Sequence, residues 1–233
     1  MRQLALGLAP SPAPAFDNFF PGRNVEAMSA LHSLAWGQSG EHFVYLWGER
    51  GCGRSHLLQA AVAAASSRGI IARYIAPGEA LPADDSGVRM LAVDDVEKLD
   101  AQAQLEFFRL YNALRERQGA MLSAGNVAPA RLQLRPDLLT RLGWGLVFQV
   151  HVLSDDDKRV ALKRHAAARA FDLRDEIVEY LLRHLKRDLP SLMAVLDALD
   201  RYSLETKRPI TLPLLRQLLQ SESGESGNPP PRT

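Results

Sequence analysis

FVYLWGERGCGRSHLL, residues 43 to 58, decides how the rest of this chain is read. Phe43 to Trp47 is an apolar run with aromatic and β-branched residues, the composition of a buried strand. It enters a turn holding Gly48, Gly51 and Gly53, and then Ser55, His56, Leu57, Leu58 and a run of alanines that favours a helix. Gly48, four intervening residues, Gly53, Arg54 and Ser55 fit the phosphate-binding loop pattern except at one position, where arginine stands in place of lysine. Glycines let the backbone turn so tightly that successive amide N–H groups converge on one phosphate oxygen. The helix after the loop aims its positive end at the same point. Gly48, Gly51, Cys52, Gly53, Arg54, Ser55 and His56 are therefore expected to hold a nucleoside di- or triphosphate, with the Ser55 hydroxyl as a ligand to Mg2+. The plainer alternative is a glycine-rich strand-to-helix turn with no ligand.

A second half of such a site stands downstream. Val88 to Val93 is an apolar strand that ends in Asp94 and Asp95. In an open parallel sheet, ligands lie at the carboxyl ends of the strands. Asp94 is expected to hold the magnesium ion and Asp95 to orient an attacking water. The plainer reading is a solvated acidic turn. Ala120 to Ala124 reads as another strand and delivers Asn126 to the same rim.

Around these segments, helical and extended patterns alternate. Asn24 is placed to cap a helix carrying Val25, Met28, Leu31 and Leu34. The glycine-loop helix is expected to stop at Gly69, with strands at 70–76 and 146–152 and helices at 101–118 and 136–142. The helix at 101–118 is expected to bury Leu105, Phe108, Tyr111 and Leu114. The expected fold is α/β, a five-stranded parallel sheet with helices on both faces. Phe16 to Gly22 is aromatic and is expected near a nucleotide base or at the domain edge. From Ser154 the pattern is helical only. Ser154 and Asp157 form a cap, two further helices follow, and a short one begins near Leu212. The expected organisation is a flexible arm at 1–15, an α/β domain at 16–153, a helical lid at 154–220 and a tail at 221–233 that its composition marks as disordered.

Composition narrows the function further. Of 233 residues, 46% are apolar and 24% charged, ordinary for a soluble globular chain. With 28 basic against 27 acidic residues, the net charge of +1 argues against a dedicated, sequence-specific DNA-binding surface. Cys52 is the only cysteine, which excludes an intramolecular disulfide and points to a reducing cytoplasm. Neither a membrane span nor a secretion signal is evident. The arm holds Pro10, Pro12 and Pro14. Gln3, Leu4, Leu6 and Leu8 put apolar side chains at alternate positions, as in extended peptides that dock in a partner's groove. Folding back on their own domain is the other reading of these leucines.

With the glycine loop, LAVDDVE at 91–97, LLTRLGWG at 138–145, LSDDDK at 153–158 and KRDLPSLMAVLDALD at 186–200 located, the chain resembles the AAA+ proteins of the DnaA clade. Within the clade it is most similar to the DnaA-homologous regulatory inactivators, whose loop carries the arginine form GRSHLL. The likeness runs from the arm to about Leu219. It implies that Arg141 is an arginine finger acting on a nucleotide held by a neighbouring molecule, that Asn126 is a first sensor, and that Arg187 is the lid's sensor arginine and touches the nucleotide. It also implies that Gln3 to Leu8 bind the beta sliding clamp of DNA polymerase III. Of the 28 basic residues 23 are arginine, so a surface charge is the ordinary reading of any one of them.

Two departures separate this chain from the initiator. The segment between the second and third strands is too short for the paired helices that touch single-stranded DNA. No basic helix-turn-helix follows residue 220. The implied activity is that of an ADP-bound, clamp-tethered factor that stimulates hydrolysis of ATP on DnaA and is itself at most a weak ATPase. A homodimer stays open. The rival expectations are an autonomous ATPase such as a helicase loader, separable by turnover of the chain alone, and an adaptor that binds no nucleotide.

Overall fold

A 3-10 turn at Phe16–Asn18 and α1 (Val25–Ala35) lead into β1 (Phe43–Trp47), the glycine loop and α2 (Arg54–Ser67). β2 (Ala72–Ile75), β3 (Met90–Val93), α3 (Ala101–Glu116), β4 (Ala120–Gly125), α4 (Pro136–Leu142) and β5 (Leu146–Gln149) follow. The computed structural model describes residues 12–82, 87–185 and 188–224, with side chains described as far as residue 220. Ala13–Leu153 form one compact unit, and the residues from Ser154 on belong to another.

The strands make one sheet in the order β2-β3-β4-β1-β5, and every pairing is parallel. Side chains alternate across the sheet, which divides its residues between two cores. Val44, Leu46, Ala92 and Leu122 point to the side covered by α1 and α2, where Leu31, Leu34, Leu57 and Leu58 are buried. Tyr45, Leu91, Val93 and Met121 point to the side covered by α3 and α4, against Phe107, Leu110 and Leu138. The expected three-layered α/β architecture is thus the one observed.

The strands are shorter than their apolar runs, and in β5 the reason is visible. Past the Val150 N–H, which donates to the Trp47 carbonyl at 2.6 Å, His151 is held by a side chain instead. Asn24 lies at the N-cap position of α1 but makes no capping hydrogen bond there. Its Nδ2 donates to the His151 carbonyl at 2.9 Å, and its Oδ1 accepts from the His151 N–H at 2.7 Å. Asn24 therefore pins the exit of β5 to the entry of α1, and it is 3% exposed. Asn24→Ala strands both His151 backbone groups, which costs about 3 kcal/mol and lowers Tm by roughly 6–12 °C. Thermal unfolding measures it, and a shift under about 2 °C would mean that the pairing contributes little.

The phase of α3 also differs from expectation. Phe107, Leu110, Tyr111 and Leu114 are buried, whereas Leu105 is 45% exposed and Phe108 half-buried. The inward face is the 107/110/111/114 ridge, which packs with Tyr45, Leu91, Val93 and Met121 of the sheet, a phase that periodicity alone leaves open. At the N-terminus, Phe16 and Phe19 pack on the core beneath α1 and α2.

The second unit consists of α5 (Asp155–Ala168), α6 (Asp175–His184), α7 (Leu189–Thr206) and α8 (Leu212–Gly224). Ser154 caps α5 as expected, its Oγ accepting from the Asp157 N–H at 3.0 Å while Asp157 Oδ2 accepts from the Ser154 N–H at 3.1 Å. Leu162, Ile177, Leu181, Leu192, Leu196, Leu199, Leu214 and Leu215 fill its core. Asp175 accepts from Lys163 at 2.7 Å, which ties α6 to α5 and holds its carboxyl below the ordinary range. At 13 residues, α8 is longer than the short helix expected and runs to Gly224. Among the described residues, no helix is long and apolar enough to cross a membrane.

Candidate functional site

Because every strand is parallel, the carboxyl ends of β1, β4 and β3 share one rim, and they deliver the glycine loop, Asn126, and Asp94 with Asp95 in that spatial order. Neighbouring strands lie about 4.8 Å apart, so Asn126 stands one step from the loop and the two acids roughly 10 Å from it. The inserted strand β4 is what leaves room between cradle and acids.

Two glycines of the loop are fixed by close approach. A Cβ at Gly48 would overlap the Val150 carbonyl oxygen, and it would come within 3.1 Å of the Cys52 sulfur. Gly53 is the N-cap of α2 with φ 104°, and a Cβ there would lie 2.7 Å from the Phe19 ring. Cys52 is buried between them, and burial pushes its thiol pKa up. In the first turn of α2, Arg54, Ser55 and His56 carry N–H groups that a helix cannot satisfy from within. These groups and the helix dipole face the rim. The His56 side chain is otherwise engaged: its Nε2 donates to the Ala15 carbonyl at 3.0 Å, and its ring lies 5.4 Å from that of Phe19. The Phe16–Gly22 segment thus braces the loop from the domain side.

Arg54 crosses the gap between loop and acids. It is buried, and its Nη2 meets Asp95 Oδ1 at 3.5 Å, while its Nη1 is buried with no hydrogen-bond partner. An unpaired buried donor costs about 1–3 kcal/mol, and a phosphate oxygen in the loop is the partner that would relieve it. Among the described residues, one other buried side-chain oxygen or nitrogen lacks a partner, Glu97 Oε2. It stands 3.2 Å from where a Cβ on Gly125, the residue before Asn126, would be. Asn126 itself is exposed. The Tyr45 hydroxyl, buried beside Glu97, donates to the Val127 carbonyl at 2.8 Å, and burial followed by the Glu97 charge raises its pKa.

Asp94 is 3% exposed. Its Oδ2 accepts from the Tyr74 hydroxyl at 2.8 Å and its Oδ1 from the Asp95 N–H at 2.9 Å. Burial and then the Asp94 contact push the Tyr74 hydroxyl up to about 12, while Gln59 and Ser55 reach it and pull the other way. Tyr74 thus links the two residues proposed as metal ligands. A hydroxyl and a carboxylate are the hard oxygen donors that Mg2+ takes, and that ion ordinarily completes its shell with water and phosphate oxygens. Among the described residues, no group of three or more His, Cys, Asp or Glu is placed to hold a metal ion. Asp95 sits in the left-handed region at φ 46°, ψ 54°. Its Oδ2 accepts from Lys98 Nζ at 2.7 Å, a contact that raises the Lys98 pKa. A cleft of about 430 Å³ opens on the β2 side of these acids, with Lys98 and Leu99 in its wall.

Arg141 lies elsewhere. It is in the last turn of α4, its Nε donating to Asn112 Oδ1 at 3.3 Å. Its guanidinium covers Phe108 at 4.3 Å and Trp144 at 5.0 Å. Tyr111, 6.0 Å from it, packs at 4.3 Å on Phe43, the first residue of β1. Arg141 is therefore on the amino-end rim of the sheet. The loop begins at the other end of β1, roughly 15 Å away by strand rise. Arg187 and the arm residues Gln3, Leu4, Leu6 and Leu8 lie outside the described residues.

Tyr74, Lys98 and Glu97 are the rim residues that sequence reading missed. Lys98 follows Asp95 at i+3, a spacing that signals a local ion pair. Tyr74 and Glu97 carry no such mark, since each meets its neighbours at the rim only through the sheet.

The fold has well-matched counterparts among solved structures. Domain III of the Thermotoga maritima replication initiation protein DnaA superposes with a TM-score of 0.73 at 20% identity, over 91% of this chain and 98% of that one. AMPPCP-bound DnaA from Aquifex aeolicus gives 0.68 at 23% identity, over 83% and 67%. The RuvB Holliday junction branch migration motor of Thermotoga maritima gives 0.63 at 14%, over 89% and 72%. Sheet order, glycine loop and helical C-terminal unit thus define an AAA+ P-loop fold. Residues 155–219 match the family model described as the lid domain of Hda. The helical unit is thus similar to the Hda lid over residues 155–219, and the chain shares its fold with DnaA.

Proposed function

We propose that this chain holds ADP, or ATP, with Mg2+ at the glycine loop, and that it restrains replication initiation by using Arg141 to complete the ATP-hydrolysing site of a bound DnaA molecule. The observation that carries the reading is the separation of Arg141 from its own cradle. A guanidinium on the amino-end rim is too far to serve a phosphate at Gly48 to Ser55 in the same chain, yet it is half-exposed for a neighbour. Gly48, Gly51, Cys52, Gly53, Arg54, Ser55 and His56 would hold the phosphates through backbone N–H groups and the free Arg54 nitrogen. Ser55 and Asp94 would hold the metal ion, which supplies charge neutralisation when bound. Nucleotide binding by the AMPPCP-bound DnaA counterpart supports this reading. Asn126 and, from the lid, Arg187 would read the nucleotide's state. Gln3, Leu4, Leu6 and Leu8 would dock on the beta sliding clamp and keep the regulator beside DNA in the cytoplasm.

The test is reconstitution. With clamp loaded on DNA and DnaA charged with labelled ATP, the ADP-bound chain should speed conversion to ADP about tenfold or more; unchanged conversion ends the proposal. Removing residues 1 to 8 should cut retention on immobilised clamp on the order of 100-fold, and undiminished retention would place clamp binding elsewhere. Convergence of Asp94, Asp95 and Asn126 on one rim favours a second reading, an autonomous ATPase, which turnover by the chain alone separates from the first.

A further inference from the structure

The acid at the hydrolytic position of the rim is already engaged twice. Asp95 Oδ1 faces Arg54 Nη2 at 3.5 Å, and Oδ2 faces Lys98 Nζ at 2.7 Å. Its backbone is fixed as well, in the left-handed region, with its N–H donated to Asp94. Lys98 comes from the 3-10 turn Val96–Lys98 that directly follows Asp95, so this contact forms locally. Arg54 comes from α2, and its guanidinium suits a double task. Nη2 meets the acid while the buried Nη1 is left for a phosphate. A lysine at position 54 would bring one compact ammonium, which does not divide between two acceptors in this planar, fixed way.

We infer that Arg54 and Lys98 are positioning residues that clamp Asp95 and keep this chain from hydrolysing the nucleotide it holds, a role that presupposes the nucleotide reading above. Hydrolysis joins a water oxygen to the γ-phosphorus while the bond from that phosphorus to the β–γ bridging oxygen breaks. The water's proton leaves through a base to solvent, and ADP and inorganic phosphate are released. The water must be ordered by an acceptor that faces it. Asp95 faces two cations instead. The arginine that departs from the loop pattern thus acquires a specific purpose: it leaves phosphate binding intact while occupying the acid, and so stabilises the bound state of the regulator.

The experiment uses the full chain alone, with steady-state ATP turnover and calorimetric ADP affinity measured in parallel. Lys98 is the first target because its side chain is 57% exposed and its removal does not disturb the core. Lys98→Ala should raise kcat about tenfold and change ADP affinity less than about threefold. Lys98→Arg should keep the chain as silent as the parent. Arg54→Lys added to Lys98→Ala should raise kcat further. Asp95→Asn should cancel the gain of Lys98→Ala, an outcome that a merely structural role for Lys98 does not give. Unchanged kcat in Lys98→Ala with ADP still bound overturns the clamp, as does a parent chain that already turns over at the variant's rate. A parent chain that binds neither ADP nor ATP overturns the nucleotide reading and the clamp with it.

Discussion

Arg141→Ala is expected to lower the stimulated hydrolysis of DnaA-bound ATP by about 10³-fold, while leaving the chain folded and its own ADP affinity unchanged. The size follows from what a finger supplies, positive charge where negative charge spreads in the transition state, in a site that excludes water. The selectivity follows from position, because Arg141 and the glycine loop are on opposite rims of the sheet. Arg141 is also held ready. Asn112 accepts from its Nε at 3.3 Å, and Phe108 and Trp144 cover its faces. The terminal Nη1 and Nη2 have no hydrogen-bond partner among the described residues. Trp144, 54% exposed, also carries Arg115 at 5.1 Å. The surface around Arg141 is thus aromatic and cationic, as a contact with an anionic site on a partner would require. Arg141→Lys should recover little, since an ammonium can neither stack in the same plane nor bridge two phosphate oxygens. The measurement is decay of labelled ATP on DnaA with clamp-loaded DNA present. Undiminished decay in Arg141→Ala would remove the finger, and a parallel fall in ADP affinity would show that the residue acts through its own fold.

Much of the fold was legible because its signals are local. Gly48, Gly53 and Ser55 stand at fixed offsets, and the apolar run before them and the alanines after them have their own periods, so strand, loop and helix could be placed without knowledge of any distant contact. Ser154 and Asp157 are legible for the same reason, as a cap closes within one turn. What sequence could not show depends on residues that meet only after folding. Asn24 has the chemistry of a cap, but its partner is His151, 127 positions away, and a buried backbone pair outbids a helix end that water can satisfy. The stripe on α3 has two permissible phases, and the sheet selects the one through Phe107. At the site, Asp95 and Arg54 could each be named from its own motif. That they touch each other, 41 residues apart, is a property of the strand order.

Gly48→Ala is expected to abolish the cradle, lowering ADP affinity on the order of 100-fold and stability by about 1–3 kcal/mol. A Cβ at that position would overlap the Val150 carbonyl oxygen. Val150 cannot yield easily, because its own N–H donates to the Trp47 carbonyl at 2.6 Å and its side chain is buried. The clash is therefore between two backbone segments that leave adjacent strands, and one of them must shift. Of the two, the loop has fewer constraints, so its N–H groups lose their common focus, and affinity falls by more than stability alone would require. Cys52 offers a control. Its sulfur lies 3.1 Å from the same Cβ position, so Cys52→Ala relieves the side-chain part of the crowding and leaves the carbonyl in place. The double variant should remain as defective as Gly48→Ala in calorimetric ADP binding. Recovery in the double variant would mean that the thiol, not the Val150 carbonyl, sets the limit at Gly48.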